Sequence, residues 1–375
     1  MTPVSDTSRL LEDEILATID AEGPIPFAHY MDLCLYHPRH GYYTRGVGGG
    51  GGRDYVTSSG LHPLFGALVA RQAEEMWRLL GRPARFRFVE FGPGEGRFAR
   101  DFLGEAAGEG EFAKALQYDL VERSPALADR QKSLLSAASA TVSWPSLEAL
   151  EDQEPFAGCV FMNEVLDAFP VHRVIGMRDG PREVHVGAKD GALREVLLPL
   201  SDESLGRFLA DAELRLEEGQ EVDLNLAAPP FLARTLRLLG RGYALVVDYG
   251  YEAGPLYSPA RRRGTLRAVH RHRMNEEFLL RPGDQDLTAH LDFTALRAAG
   301  EGAGARCLGL TTQARFLLAL GALEWMQDLE PAAADGPELL LRRLEEREAI
   351  KDLFLPDRMG EKFRCLLLEI GRAHV

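Results

Sequence analysis

The densest chemical signal in the chain is the stretch Val89-Glu90-Phe91-Gly92-Pro93-Gly94-Glu95-Gly96-Arg97-Phe98. An apolar run, Phe86 to Phe91, enters three glycines at alternate positions, and a helical pattern begins at Arg97. That order reads as a strand, a glycine turn and a helix start. Glycine there permits positive φ and lets a ligand approach the main chain. The helix N-terminus offers free amides to a carboxylate or phosphate. In open α/β sheets, ligands bind at the carboxyl ends of the strands, where the strand order reverses.

Two adenosine cofactors suit such a turn. The dinucleotide fingerprint GxGxxG needs glycine at position 97, where Arg97 stands. Gly92, Gly94 and Gly96 instead give GxGxG, with Glu90 two residues ahead. Acidic-x-GxGxG is the common S-adenosylmethionine signature, so Glu90, Gly92, Pro93, Gly94 and Gly96 are candidate cofactor contacts. Glu122 ends the next strand, where a carboxylate accepts both ribose hydroxyls through charge-assisted bonds. Nicotinamide enzymes place an acid similarly, so Glu122 argues for an adenosine ligand more than it separates the two. Trp144, followed by Pro145 and Ser146, lies after the third strand, where an adenine rests; a core tryptophan is the competing reading.

The acceptor side is read from Asn163, Glu164 and Asp167, just past the fourth strand. A helical turn beginning there would place Glu164 and Asp167 on one face. Two acids facing the transferred methyl suit a cationic acceptor. The competing reading makes Asp167 a helix cap and Glu164 a surface acid.

These residues need a sheet to position them. Phe86–Phe91, Tyr118–Glu122, Ala140–Trp144, Cys159–Met162 and Tyr243–Asp248 read as strands, with helices from Arg97 to Leu103 and over 125–137. Strands separated by helices imply parallel pairing with right-handed crossovers. Arg306–Leu310 and Phe363–Ile370 would add an antiparallel pair, completing seven strands. Residues 8–22 and Pro63–Leu80 read as helices, with a segment rich in Pro, Gly and Tyr from Pro24 to Tyr43. Gly46 to Gly52 lacks the Gly-Lys-Ser/Thr ending of a phosphate loop and reads as a flexible loop. Val171 to Leu200 alternates like strands around Asp179-Gly180 and Asp190-Gly191, two hairpin turn signals. The expected division is an N-terminal helical lid at 1–80, the first half of the core at 81–170, an inserted segment at 171–241, and the second half of the core at 242–375 with a further insertion at 251–292.

Composition sets the bounds. The 375 residues are 45% hydrophobic and 27% charged, as in an ordinary globular protein. The net charge of −14 disfavours nucleic acid as a partner and suits a cationic one. No apolar run is long enough for a membrane span. The N-terminus has no signal-peptide core, so a cytoplasmic location is the default expectation. The 4 cysteines form no CxxC pair and read as structural thiols. His290 and Asp292 are too few to hold a metal, and Asp292 reads as the cap of a helix starting at Phe293. The arginines from Arg261 to Arg273 read as an acid-paired or solvated loop, with docking to a partner or to RNA as the alternatives.

Taken together, the sequence resembles the MidA-like family of class I methyltransferases. The resemblance runs along nearly the whole chain: Tyr30-Met31, His37-Pro38-Arg39-His40-Gly41-Tyr42-Tyr43, Asp54-Tyr55-Val56-Thr57-Ser58, Leu64-Phe65-Gly66, the glycine turn, and Asn163 to His172. It continues through Asp248-Tyr249-Gly250, Gly264-Thr265-Leu266-Arg267, Asp286 to Phe293, Thr312-Gln313 and Met359-Gly360-Glu361-Lys362-Phe363. The family continues Thr-Ser with Pro-Glu, where this chain has Ser59-Gly60, and the glycine run after Val47 is a second departure.

The resemblance implies a doubly wound, seven-stranded Rossmann-like sheet with an N-terminal lid and inserted antiparallel pieces. It implies S-adenosylmethionine as cofactor, with Thr57, Ser58 and Asn163 joining its contacts. It implies a protein arginine methyltransferase, with Glu164 and Asp167 holding the guanidinium and Asn163 orienting it. The acceptor would be an exposed arginine on a protein such as a respiratory-complex subunit, linking the chain to complex I assembly. A homodimer stays open. The alternatives are an assembly factor that binds the cofactor without catalysis, and a nicotinamide oxidoreductase.

Overall fold

The structure is a computed structural model that describes residues 5–46, 58–108, 110–138, 140–330 and 336–371. The glycine loop expected over Gly46–Gly52 lies, beyond Gly46, outside the described residues, as does Thr57. The chain divides into two compact units. One comprises Met1–Tyr55, Leu166–Phe231 and Gly250–Leu296; the other comprises Val56–Val165, Leu232–Tyr249 and Arg297–Val375.

The second unit carries the doubly wound sheet. Its strands run in the spatial order Arg306–Thr312, Phe363–Ile370, Leu239–Tyr251, Phe156–Asn163, Phe86–Phe91, Leu116–Val121, Thr141–Ser143. The five from Leu239–Tyr251 to Thr141–Ser143 are parallel; Phe363–Ile370 is antiparallel to both its neighbours, so Arg306–Thr312 points the same way as the five. The order reverses beside Phe86–Phe91: the chain goes first to Leu116–Val121 on one side and later to Phe156–Asn163 on the other. A switch of that kind opens a crevice past the carboxyl ends of these strands.

The central strand is buried on both faces, as a parallel strand under helices must be. Phe86 and Phe88 are fully buried, and Phe88 lies among Phe102, Tyr118 and Phe161 at ring-centroid distances of 4.4, 5.3 and 5.6 Å. The helices Leu64–Leu79 and Arg97–Ala106 cover that side with their apolar stripes, and Phe65 and Phe98 meet at 5.7 Å. Phe88→Ala is expected to cost roughly 3–5 kcal/mol of stability, because so packed a site cannot collapse around the void. Urea unfolding of the variant checks this.

The first unit contains the insertions. Ile25–Pro26, Arg182–Lys189, His172–Ile175 and Glu221–Leu224 form one antiparallel sheet, with Ala192–Leu198 also paired to Arg182–Lys189. Lys189 pairs with Ala192, so Asp190 and Gly191 are a two-residue loop, with φ of +54° and +75°. That is the turn chemistry expected of Asp-Gly. Arg273–Asn275, Arg267–His270 and Asp286–Thr288 make a smaller sheet. The helices Asp6–Glu22 and Phe27–Tyr36 bury Leu11, Ile15, Phe27 and Tyr30 in the same core as Val186 and Leu287. Three cysteines are buried; Cys34 sits on the Phe27–Tyr36 helix and the others on strands. The arginine loop is acid-paired, Arg262 with Glu217 and Arg263 with Glu276, both at 3.1 Å.

Candidate active site

The glycine turn follows the central strand. The Gly92 amide donates to the Val121 carbonyl at 3.1 Å, which carries the strand pairing one step past Phe91. Gly96 donates to the Pro93 carbonyl at 2.9 Å and closes the turn, and Arg100 donates to the Gly96 carbonyl at 3.0 Å and opens the helix. The three glycines have φ of +61°, +55° and +78°, all in the left-handed region. Their surroundings differ. A side chain at 92 would meet a Val165 methyl at 2.9 Å, and one at 96 would meet Gln131 at 3.1 Å. At 94, among the described residues beyond the chain neighbours, none comes within 4 Å. Space bounded by main chain and open above Gly94 is what a closely approaching ligand needs.

Glu122 lies one turn away. Its carboxylate accepts from the Ser124 amide at 2.8 Å and from Gln131 Nε2 at 3.2 Å. Two ionised oxygens offer about four acceptor positions, and with the Arg123 main chain also bonded to this carboxylate one remains for a hydroxyl donor. Burial raises its pKa, and the donors from Ser124 and Gln131 oppose that rise. Gln131, fully buried on the helix Pro125–Leu134, escaped the sequence reading although it joins three of the expected contacts. Its amide also donates to the Gly94 carbonyl at 2.7 Å and accepts from Trp144 Nε1 at 2.9 Å. Trp144 is half-buried at the end of Thr141–Ser143, with Lys132 Nζ 6.0 Å from its ring. Glu90 is sealed beneath the turn, where Tyr118 donates to it at 2.7 Å. Burial pushes its carboxyl up to about 8, with Glu122 adding to the rise. An open cradle over Gly94 and a carboxylate with a spare acceptor position fit the amino-acid and ribose parts of a sulfonium nucleoside.

Past the fourth strand, Glu164 donates its amide to the Val247 carbonyl at 3.0 Å and adopts φ +53°. A non-glycine residue in that conformation is strained by roughly 1–2 kcal/mol and persists only where its surroundings fix it. Asp248 supplies the fixing: it accepts from the Val165 amide at 3.2 Å and the Tyr249 amide at 2.8 Å. The Glu164 Oε1 atom accepts from the Ser58 amide at 2.8 Å and from Asn163 Nδ2 at 3.2 Å. Glu164 Oε2 and Asn163 Oδ1 are buried with no hydrogen-bond partner among the described residues. Burial, reinforced by the charge of Asp248, pushes the Glu164 carboxyl up to about 8 against the donors on Oε1.

The expected helical turn joining Glu164 to Asp167 is absent. The positive φ at Glu164 cannot belong to a right-handed helix, and the chain bends instead up to Pro170. Asp167 belongs to the other unit, where it is buried and its carbonyl accepts from the Ala289 amide at 2.9 Å. Glu164, Asn163 and Ser58 come together. Asp292 caps its helix as expected, accepting from the Thr294 and Ala295 amides at 2.8 and 3.1 Å.

A proton held up to about 8 in the folded chain, against 4.5 in the free side chain, stabilises the fold below that range. Stability is then lost as pH rises from about 4.5 to about 8. Glu164→Gln removes this loss. The variant is expected to gain on the wild type in denaturant midpoint between pH 5 and pH 9, which parallel urea titrations would read.

Residues 68–311 match the family model for S-adenosyl-L-methionine-dependent methyltransferases. A Drosophila melanogaster relative, the mitochondrial protein arginine methyltransferase NDUFAF7 homolog, is 30% identical over 96% of this chain and 85% of its own. Human NDUFAF7, also a mitochondrial protein arginine methyltransferase, is 28% identical over 94% of this chain and 82% of its own. A Burkholderia thailandensis protein crystallised with S-adenosyl-homocysteine superposes with a TM-score of 0.86 at 32% identity, covering 100% of this chain and 97% of that one. These relatives are mitochondrial proteins, which overturns the cytoplasmic expectation. Among the described residues no helix is long and apolar enough to cross a membrane. With sequence, fold and glycine turn in agreement, the chain belongs to the MidA-like family of S-adenosyl-L-methionine-dependent methyltransferases.

Proposed function

We propose that this methyltransferase acts on an arginine of a protein partner, with a respiratory-complex subunit as the acceptor that the family resemblance implies and a role in complex I assembly following from it. The observation that carries the reading is the pair of adjacent buried acceptors, Glu164 Oε2 and Asn163 Oδ1, which lack a donor among the described residues. Buried acceptors left unmet cost about 1–3 kcal/mol each. A guanidinium brings several N–H donors in a fixed planar fork and meets both. The relatives named protein arginine methyltransferases support the same class of acceptor.

Gly92, Gly94, Gly96, Glu122 and Trp144 would hold the cofactor, with Glu90 and Gln131 supporting the turn from below. When bound, the cofactor supplies an electrophilic methyl on a sulfonium. The work of the protein is then alignment, and well-oriented reactants save roughly 7–11 kcal/mol of barrier. Glu164 releases its proton to solvent as the guanidinium arrives, and the carboxylate so formed pairs with it through Oε2. Ser58 and Asn163 keep Oε1 in place meanwhile. The charge on Glu164 offsets the positive charge of the acceptor and directs one nitrogen forward. Asp167 is the second acid that the resemblance implies for the acceptor side.

The test is incubation of the enzyme and labelled cofactor with a cognate proteome, followed by mass spectrometry of the methylated peptides. Methylarginine on a discrete set of proteins is expected. Methylation confined to other residue types would overturn the arginine reading.

A further inference from the structure

Gln313 stands apart from both the cofactor turn and the carboxylate, and the scheme above does not use it. It opens the helix Gln313–Ala319 and is fully buried. Its Nε2 donates to the Leu353 carbonyl at 2.8 Å, on the helix Pro337–Phe354. A carbonyl can only accept, so this bond fixes which end of the amide faces it. Gln313 Oε1 therefore faces Ser58, whose hydroxyl donates to it at 3.1 Å. Ser58 is fully buried, and its amide is the shorter of the two bonds on Glu164 Oε1. A side chain buried at this depth with both ends of its amide committed is not filling space: an apolar residue of the same volume would do that without a desolvation cost.

We propose that Gln313 is a positioning residue for methyl transfer: anchored on Leu353, it holds the Ser58 hydroxyl so that the Ser58 amide stays on Glu164 Oε1 and Oε2 is left turned to the acceptor. The chain of contacts runs Leu353 carbonyl, Gln313, Ser58, Glu164. Ser58 opens the short helix Ser58–Leu61, and among the described residues its hydroxyl is held from the C-terminal helices. The inference deepens the proposed role of Glu164 but concerns the carboxylate, whatever its acceptor.

The test reads the carboxylate directly. Full-length protein labelled with carbon-13 at glutamate carboxyls is titrated by NMR, and Glu164→Gln identifies the Glu164 signal. In Gln313→Met, similar in volume but unable to hold Ser58, the Glu164 midpoint is expected to rise by about one pH unit, since a donor to the charged form is lost. Ser58→Ala should move it in the same direction, and the double variant should add little, as residues on one path are not additive. Binding of S-adenosyl-homocysteine by calorimetry should change less than about threefold in Gln313→Met. A Glu164 midpoint unmoved by Gln313→Met, or effects of the two variants that simply add, would overturn the proposal. If Gln313→Met fails to fold, Ser58→Ala carries the test alone, and an unmoved midpoint there is equally contradictory. A shifted midpoint with no methylarginine in the proteome experiment would sink the arginine reading and leave the positioning role intact.

Discussion

Glu164→Gln is expected to lower methyl transfer by at least about 100-fold while S-adenosyl-homocysteine binds within about threefold of its wild-type affinity. The size follows from what the substitution removes. The amide keeps the shape of the side chain and can still accept from Ser58 and Asn163, so the local fold survives. It cannot carry the charge that pairs with a cation, and a preorganised charge of this kind is worth roughly 2.7–4 kcal/mol in the transition state. The split between turnover and cofactor affinity is what separates the two halves of the site. If Glu164 were a buried structural acid, the amide would leave turnover intact. Radiolabelled methyl transfer into protein and calorimetry measure the two quantities. The wild-type pH profile belongs to the same prediction. A carboxyl pushed up to about 8 must lose its proton to receive a cation, so kcat/KM should rise with pH up to about 8 and level off beyond. The Glu164→Gln variant should lose that limb along with its activity.

The second large effect is expected at Gly94. Gly94→Ala places a methyl that meets no atom within 4 Å among the described residues beyond its chain neighbours. Its folding cost is the left-handed backbone alone, about 1–2 kcal/mol. Its effect on S-adenosyl-homocysteine should be far larger, a loss of tenfold or more, because the new carbon fills the cradle. Gly81→Ala provides the control. Gly81 also has a positive φ, +81°, and also has no atom within 4 Å, but it ends the helix Leu64–Leu79 rather than a strand of the sheet. Both variants should lose comparable stability, and only Gly94→Ala should lose the nucleoside. Equal loss of affinity in the two would mean that strain, not occupancy, explains the first result.

The parts that the sequence made legible are those in which local chemistry dictates local shape. Gly92, Gly94 and Gly96 announced a turn with positive φ, and the structure has one. Asp190-Gly191 announced a two-residue hairpin, and Lys189 pairs with Ala192 across it. The apolar blocks of the sheet were readable because a strand buried on both faces has few other ways to be written. The parts that escaped depend on distant partners. Gln131 ties Gly94, Glu122 and Trp144 together, yet in the sequence it is one polar residue on an otherwise ordinary helix. Asp248 stabilises the strained start of the Glu164 bend from another strand. The expectation that placed Glu164 and Asp167 on one helical face failed for a related reason. Spacing of three suggests a shared face only if a helix forms, and the pairing of Glu164 with Val247 imposes a different backbone there.

The central claim is that the turn from Gly92 to Gly96 and the carboxylate of Glu122 together hold one S-adenosyl nucleoside, with Glu164 facing the reacting end. A crystal structure of this protein soaked with S-adenosyl-homocysteine tests it most directly. Density for the amino-acid end over Gly94 and for a ribose hydroxyl on Glu122 is the expected result. A nucleoside bound elsewhere, with no ribose hydroxyl on Glu122, would contradict it.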